Sequence, residues 1–238
     1  MNSAIVKTGM VFLLAFLTGV NFVVFPALGT AFTDPSVFAL SSSQFGTLFL
    51  PQVVCIIISC LAAPFLVNAF GPKIILTSGI ALMLLSTGSV WALQFLMNDH
   101  ALVFPVLMVL VACTGLGFGL SITTLNPLAA SLFKSNPSSA ILILQFMVGL
   151  GTSASPLMMS LAGNVHNWMV VPGIIFIAVS LSFILFLFVR LEKGLFLSCP
   201  GTSVFLPGFG LSLGLSFYMA ALKALSEVSV LLCLRIRD

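Results

Sequence analysis

Charge is what this sequence has least of. Only 5% of its 238 residues are Asp, Glu, Lys or Arg, against about 25% in soluble domains. With 60% hydrophobic residues, a soluble fold of this size could not hide the apolar surface, since a small fold buries only part of what its chain exposes. The surrounding solvent is therefore lipid. The net charge of +3 is too small for the basic surface that nucleic acid demands, so no nucleic-acid partner is expected. Strict polar/apolar alternation is also missing, and Phe is abundant at 23 residues; both argue for helices and against an outer-membrane barrel. The five cysteines form no framework. Cys55 and Cys60 lie in one apolar run and Cys113 in another, and none has metal-ligand spacing to a histidine. They read as small packing residues, and His100 and His166 as loop residues. There is no Ser/His/Asp set, carboxylate pair or phosphate-binding loop, so neither an enzyme nor a bound metal or cofactor is expected.

What is present is a series of apolar runs, each close to the ~20 residues that a membrane-spanning helix requires. They cover residues 9–31, 41–68, 73–97, 101–133, 137–163 and 169–189, with a seventh at 204–222 that could extend to 234. The second opens on Ser41 with Gln44 three residues later, the spacing of a capping box. The fifth follows Asn136 and opens on Pro137, a residue suited to the first helical position. Connections among the first six runs are short, which places successive helices side by side and antiparallel. The expected fold is an all-α polytopic membrane bundle of six spans in residues 1–193, then a tail, 194–238, carrying the seventh.

The few charges sort by side. If six helices alternate, Lys7, Lys73, Lys134, Arg190, Glu192 and Lys193 share one side. Asp34, Asp99, His100 and His166 fall on the other. The basic side is cytoplasmic by the positive-inside rule, which predicts a cytoplasmic N-terminus in a plasma (inner) membrane. Lys73 is then an anchor in a tight turn that Gly71 relieves sterically and from which Pro72 starts the next helix.

Six helices with a tight basic turn between the second and third resemble the N-terminal half of a major facilitator superfamily transporter. The family's signature for this turn is Gly-x-x-x-Asp-Arg-x-Gly-Arg-Lys. Gly71 and Lys73 match its second glycine and final basic residue, while Pro64, Asn68, Ala69 and Pro72 replace other members. The stretch "GLGFGLSITTLNPLAASLFKSNPSSAILILQFMVGLGTSASP", residues 115–156, is similar to the family's fourth and fifth helices, with Asn126, Phe133 and Lys134 in the order seen in sugar-permease-like branches. The resemblance implies secondary-active or facilitative transport of a small polar solute, such as a sugar, by alternating access. It assigns Asn68, Gly71 and Lys73 to a gating turn. Such transporters pair two six-span halves, so the resemblance also implies a second copy or a missing C-terminal half. Its alternatives are an inactive fragment and a non-transporting scaffold.

Beyond Lys73, which opens the third run at its edge, no Asp, Glu, Lys or Arg lies inside the first six runs, and intramembrane charges are what usually mark ion relays. The polar side chains left to meet a solute are Asn21, Gln52, Asn126 and Gln145; Gln94 lies near a span end. Each of the four amides can serve a solute hydroxyl or an interhelical hydrogen bond, and the residue pattern leaves both open. Gly115, Gly117 and Gly119 suit close helix approach. Pro26, Pro51, Pro64, Pro105 and Pro156 can bend their helices, and Trp91 and Trp168 suit interfacial anchoring. In the tail, Lys223 and Glu227 have the spacing of a helical ion pair.

The charge distribution predicts that, in a variant freed of native cysteines, single cysteines at Ser36, Asn98 and Asn164 react with an impermeant thiol reagent on intact cells. A cysteine at Ser135 stays unlabelled; labelling there rejects the six-span topology.

Overall fold

A computed structural model describes residues 4–93, 100–133, 136–162 and 168–189. Among the described residues there are helices and no strands: α1 (Ala4–Phe22), α2 (Val24–Ala27), α3 (Gly29–Thr33), α4 (Ser42–Thr47), α5 (Leu50–Phe70), α6 (Pro72–Ala92), α7 (His100–Leu132), α8 (Pro137–Ala162) and α9 (Val170–Phe188). Five stretches are long and apolar enough to cross a bilayer: Ser42–Phe70, Pro72–Val90, Leu102–Leu132, Pro137–Leu161 and Val170–Phe188. A shorter apolar helix, Val6–Phe22, begins the first run. The chain is an integral membrane protein with the expected all-α architecture. Gln94, Asn98, Asp99, Lys134, Ser135, Asn164, His166, Arg190, Glu192, Lys193 and the whole 194–238 tail with its seventh run lie outside the described residues.

Local chemistry sets several helix starts. The Ser41 Oγ accepts from the Gln44 N–H at 3.2 Å, and the Gln44 side chain accepts from the Ser41 N–H at 2.9 Å, completing the expected capping box. Pro72 and Pro137 open α6 and α8, where the missing N–H leaves no intrahelical acceptor without a donor. Between α5 and α6 the chain turns on one residue, Gly71, at φ 88°, a conformation that a Cβ would strain.

The first run does not form one continuous helix. It breaks at Val23 and again at Leu28, both with ψ near zero. Pro26 has no N–H to give the Phe22 carbonyl, one turn earlier. The second run breaks at Leu48–Phe49, just ahead of Pro51, which likewise cannot return a bond to Thr47. Pro64, Pro105, Pro127 and Pro156 sit inside continuous helices, so proline alone does not interrupt a span here. At 33 residues, α7 is roughly 50 Å long, more than the ~30 Å hydrocarbon core, and must tilt or project.

α7 packs between α5 and α6, while α1 packs on α8. The alternate glycines of α7 account for this. Residues four apart share a helix face, and residues two apart point nearly opposite ways. A Cβ at Gly115 would strike the Gln52 backbone, and one at Gly119 would strike Ser59, both on α5. One at Gly117 would come within 2.6 Å of the Gly79 carbonyl on α6. The α1–α8 contact is reciprocal: Gly19 meets the Val148 carbonyl, and Gly151 meets the Phe16 carbonyl. Without a hydrophobic drive between helices in lipid, close backbone approach is a principal source of association. The face of α5 carrying Leu50, Val54, Ile58, Leu61 and Phe65 is exposed, at the spacing of a single helical stripe.

The two ends of the bundle are marked by contacts. At one end Phe12 meets Phe133, ring centroids 6.0 Å apart, and Lys73 reaches Leu187. Phe38 and Trp168 meet edge to face at the other, 5.2 Å apart. Successive spans are therefore antiparallel, as the short connections predict. Trp168 corrects the interfacial reading: it is only 4% exposed, its indole filled in by Phe38 rather than presented to headgroups.

Gly19→Ala is expected to destabilise the protein by about 1–3 kcal/mol, because the new methyl meets backbone that cannot rotate away. Gly9→Ala, where a Cβ meets nothing within 4 Å, should leave stability equal or slightly higher. Unfolding of the two variants in detergent checks the contrast.

Candidate functional site: neutral amides at two depths

The four candidate amides fall into two groups. Asn21 on α1 is fully buried, and its Oδ1 accepts from the Thr87 hydroxyl on α6 at 3.0 Å. Gln52 on α5 is also fully buried, and its Nε2 donates to the Phe22 carbonyl at 3.3 Å. That carbonyl is the one that Pro26 leaves without an intrahelical donor. Gln52 thus repairs the proline break from a neighbouring span, which is how a bilayer tolerates such breaks. The Asn21 Nδ2 and the Gln52 Oε1 have no hydrogen-bond partner among the described residues. Each such buried group costs on the order of 1–3 kcal/mol. One is a donor and the other an acceptor, and both belong to one node around Asn21 and Phe22.

The second group is Asn126 on α7 and Gln145 on α8. The Gln145 Nε2 donates to the Asn126 Oδ1 at 2.9 Å. Asn126 is buried and Gln145 partly so. Neither amide makes another side-chain hydrogen bond among the described residues. This leaves an N–H donor on one and a carbonyl acceptor on the other. The two groups are not neighbours along the bundle. Gly115 lies against the Gln52 backbone, and Asn126 is eleven residues further along α7, roughly 16 Å at about 1.5 Å per residue. The structure brings Asn21 close to Gln52, and Asn126 to Gln145, but it does not gather all four at one level.

Around the upper node, sequence reasoning missed the hydroxyls of α6. Ser86 donates to the Leu110 carbonyl at 2.6 Å and is hydrogen-bonded to the Thr114 hydroxyl at 2.7 Å, and Thr87 holds Asn21. The detectable signal was a Ser-Thr pair in the middle of an apolar run, where each hydroxyl needs an acceptor.

At the α5–α6 turn, the Lys73 ammonium donates to the Leu187 carbonyl at 2.9 Å. Leu187 is among the last residues of α9, whose terminal carbonyls lack intrahelical donors. A cation there also meets the negative end of the helix dipole. Lys73 is therefore a cap on α9 as well as a charge in a turn. Asn68 is exposed, with no side-chain hydrogen bond among the described residues.

Cys55, Cys60 and Cys113 are free thiols, and no group of three metal-ligating side chains occurs among the described residues. The arrangement offers uncharged donors and acceptors, a chemistry for holding hydroxyl or amide groups. What the described residues define is the class, an integral membrane helix bundle. No protein-family model, curated protein or solved structure matches the chain.

A double-mutant cycle of Asn126→Ala and Gln145→Ala, read by unfolding in detergent, is expected to give a coupling of about 0.6 kcal/mol, the usual worth of an interhelical hydrogen bond in a membrane. Additive effects would show that the two amides do not hold each other.

Proposed function

We propose that this protein moves a small, uncharged, polar solute across a plasma (inner) membrane by alternating access, with its N-terminus in the cytoplasm. The observation that carries this reading is the Asn126–Gln145 pair. It is a neutral amide pair between adjacent spans, with a spare donor and a spare acceptor, in a bundle whose α5, α7, α8 and α9 contain no Asp, Glu, Lys or Arg. Neutral amides suit a sugar-like ligand. The lack of Asp, Glu, Lys and Arg in these four helices favours facilitated over proton-coupled movement. The placement of Lys7 and Lys73 at one end supports the orientation. The likeness of the Gly71–Lys73 turn and of the 115–156 stretch to the N-terminal half of major facilitator transporters supports the transport class.

One six-span bundle supplies one wall of such a cavity. In this reading the other wall is a second copy or a C-terminal half. The exposed apolar stripe of α5 is the kind of surface that such a pairing would cover.

A second reading has its own observation. Asn21 and Gln52 are completely buried and already spend part of their hydrogen-bonding capacity on neighbouring spans. This suits a bundle that holds its shape and transports nothing.

Proteoliposomes containing the purified protein separate the two. Counterflow of labelled hexoses above protein-free vesicles is the expected result, with loss of most of that flux in Asn126→Ala at unchanged folded yield. A correctly folded preparation, tested both as monomer and as dimer, that moves none of a panel of neutral solutes rejects transport in favour of the static bundle.

A further inference from the structure

The faces that the bundle turns outward are not alike. On α9 the exposed side chains include Ile174, Ile177, Leu181, Ile184 and Leu185, and the exposed stripe of α5 is equally apolar; both suit acyl chains. α8 differs. Gln145, Gly149, Thr152, Pro156 and Ser160 recur at steps of four, three, four and four residues, so they form one stripe of the helix. All five are half-buried or exposed. One residue further on at each turn, Phe146, Leu150, Leu157 and Leu161 form an exposed apolar stripe. A boundary between polar and apolar surface thus runs along α8. From Gln145 to Ser160 the polar stripe is roughly 22 Å long at about 1.5 Å per residue, most of the ~30 Å hydrocarbon core.

Two features of this stripe call for water. The first is a main-chain acceptor. Pro156 lies inside α8 and withholds the N–H that would bind the Thr152 carbonyl, one turn earlier. Among the described residues no side chain donates to that carbonyl, in contrast to the Phe22 carbonyl that Gln52 serves. Against lipid it stays unpaired. The second is Asn126 on α7, only 5% exposed, whose Oδ1 takes the Gln145 Nε2 at the foot of the stripe. The sealed polar atoms without a partner belong to Asn21, Gln52, Ser121 and Ser155. The spare donor of Asn126 and the spare acceptor of Gln145 are not among them, so this pair opens onto the stripe while the Asn21–Gln52 node is closed.

We propose that this stripe of α8 faces water within the membrane and forms a hydrated groove from the Asn126–Gln145 pair to the end of α8 that carries Ser160. Water in the groove donates to the Thr152 carbonyl. It also meets the hydroxyls of Thr152 and Ser160, which give their protons to the Gly149 and Leu157 carbonyls, each at 2.8 Å, and keep lone pairs free to accept. The adjoining Phe and Leu stripe faces acyl chains, so the border between water and lipid follows α8. The groove rests on the transport reading for the second wall that keeps lipid out of it. Beyond that reading, it names the route by which a neutral solute reaches the amides.

Single cysteines at matched depths on the two stripes test the groove, in a protein freed of native cysteines and held in membrane fragments open to both sides. The probe is methanethiosulfonate ethylammonium, which attacks the thiolate, a species that needs water around it. Thr152→Cys and Ser160→Cys are expected to react roughly tenfold or more faster than Leu150→Cys and Leu157→Cys, because a thiol in apolar surroundings stays protonated. Ser160→Cys exchanges one oxygen for sulfur and so keeps the fold whatever Thr152→Cys does. Equally slow reaction on both stripes overturns the groove, since lipid or a second helix then covers it. Equally fast reaction on both overturns it too, since no border then exists. The outcome separates from transport. A reactive stripe in a protein that moves no solute upholds the groove and rejects transport, whereas solute flux with an unreactive stripe rejects the groove and leaves transport standing.

Discussion

In a bilayer no water is at hand to accept or donate a hydrogen bond, so every backbone carbonyl must find its donor inside the protein. That constraint organises this bundle. Most of the chain meets it by staying helical through residues that disfavour helix, including the prolines within α5, α7 and α8. Where the helix gives way, the structure supplies substitutes. Gln52 serves the Phe22 carbonyl behind Pro26, Lys73 serves the Leu187 carbonyl at the end of α9, and the Ser41–Gln44 box serves the start of α4. The polar side chains of the interior are thus distributed largely by the needs of the main chain.

The same solvent removes the hydrophobic drive between helices, and contact is made through small residues instead. Gly115 and Gly119 seat α7 on α5, Gly117 seats it on α6, and Gly19 with Gly151 joins α1 to α8. The amides then bridge between helices that the glycines have brought near. With no Asp, Glu, Lys or Arg in α5, α7, α8 and α9, what these amides offer is hydrogen bonding alone. Tight packing and neutral polarity therefore appear together at these helix contacts.

The five long spans and their relative directions were legible in the sequence because each depends on something local: the length of an apolar run, a capping spacing, a proline at a helix start. The break at Pro26 was only partly legible. The proline announces that a carbonyl will lose its donor, yet Pro64 and Pro105 announce the same inside unbroken helices. What distinguishes Pro26 lies on another span. The amides show the same division. Their presence in apolar runs marked them as candidates. That Asn126 meets Gln145 while Gln52 meets a backbone carbonyl depends on which residues the glycine seams bring to one level, a non-local matter. Trp168 was misplaced for a related reason, since its nearness to a span end was visible and the covering ring of Phe38 was not.

The bond between Lys73 and Leu187 joins residues 114 positions apart, and this has a consequence for biogenesis. At about 5–20 residues per second, Leu187 leaves the ribosome roughly 6 to 23 seconds after Lys73. Through that interval the ammonium has no Leu187 carbonyl to bond. Only when the sixth span arrives does the same group become a helix cap. One lysine thus stands without this partner while the intervening helices are made, and becomes a cap once α9 is in place.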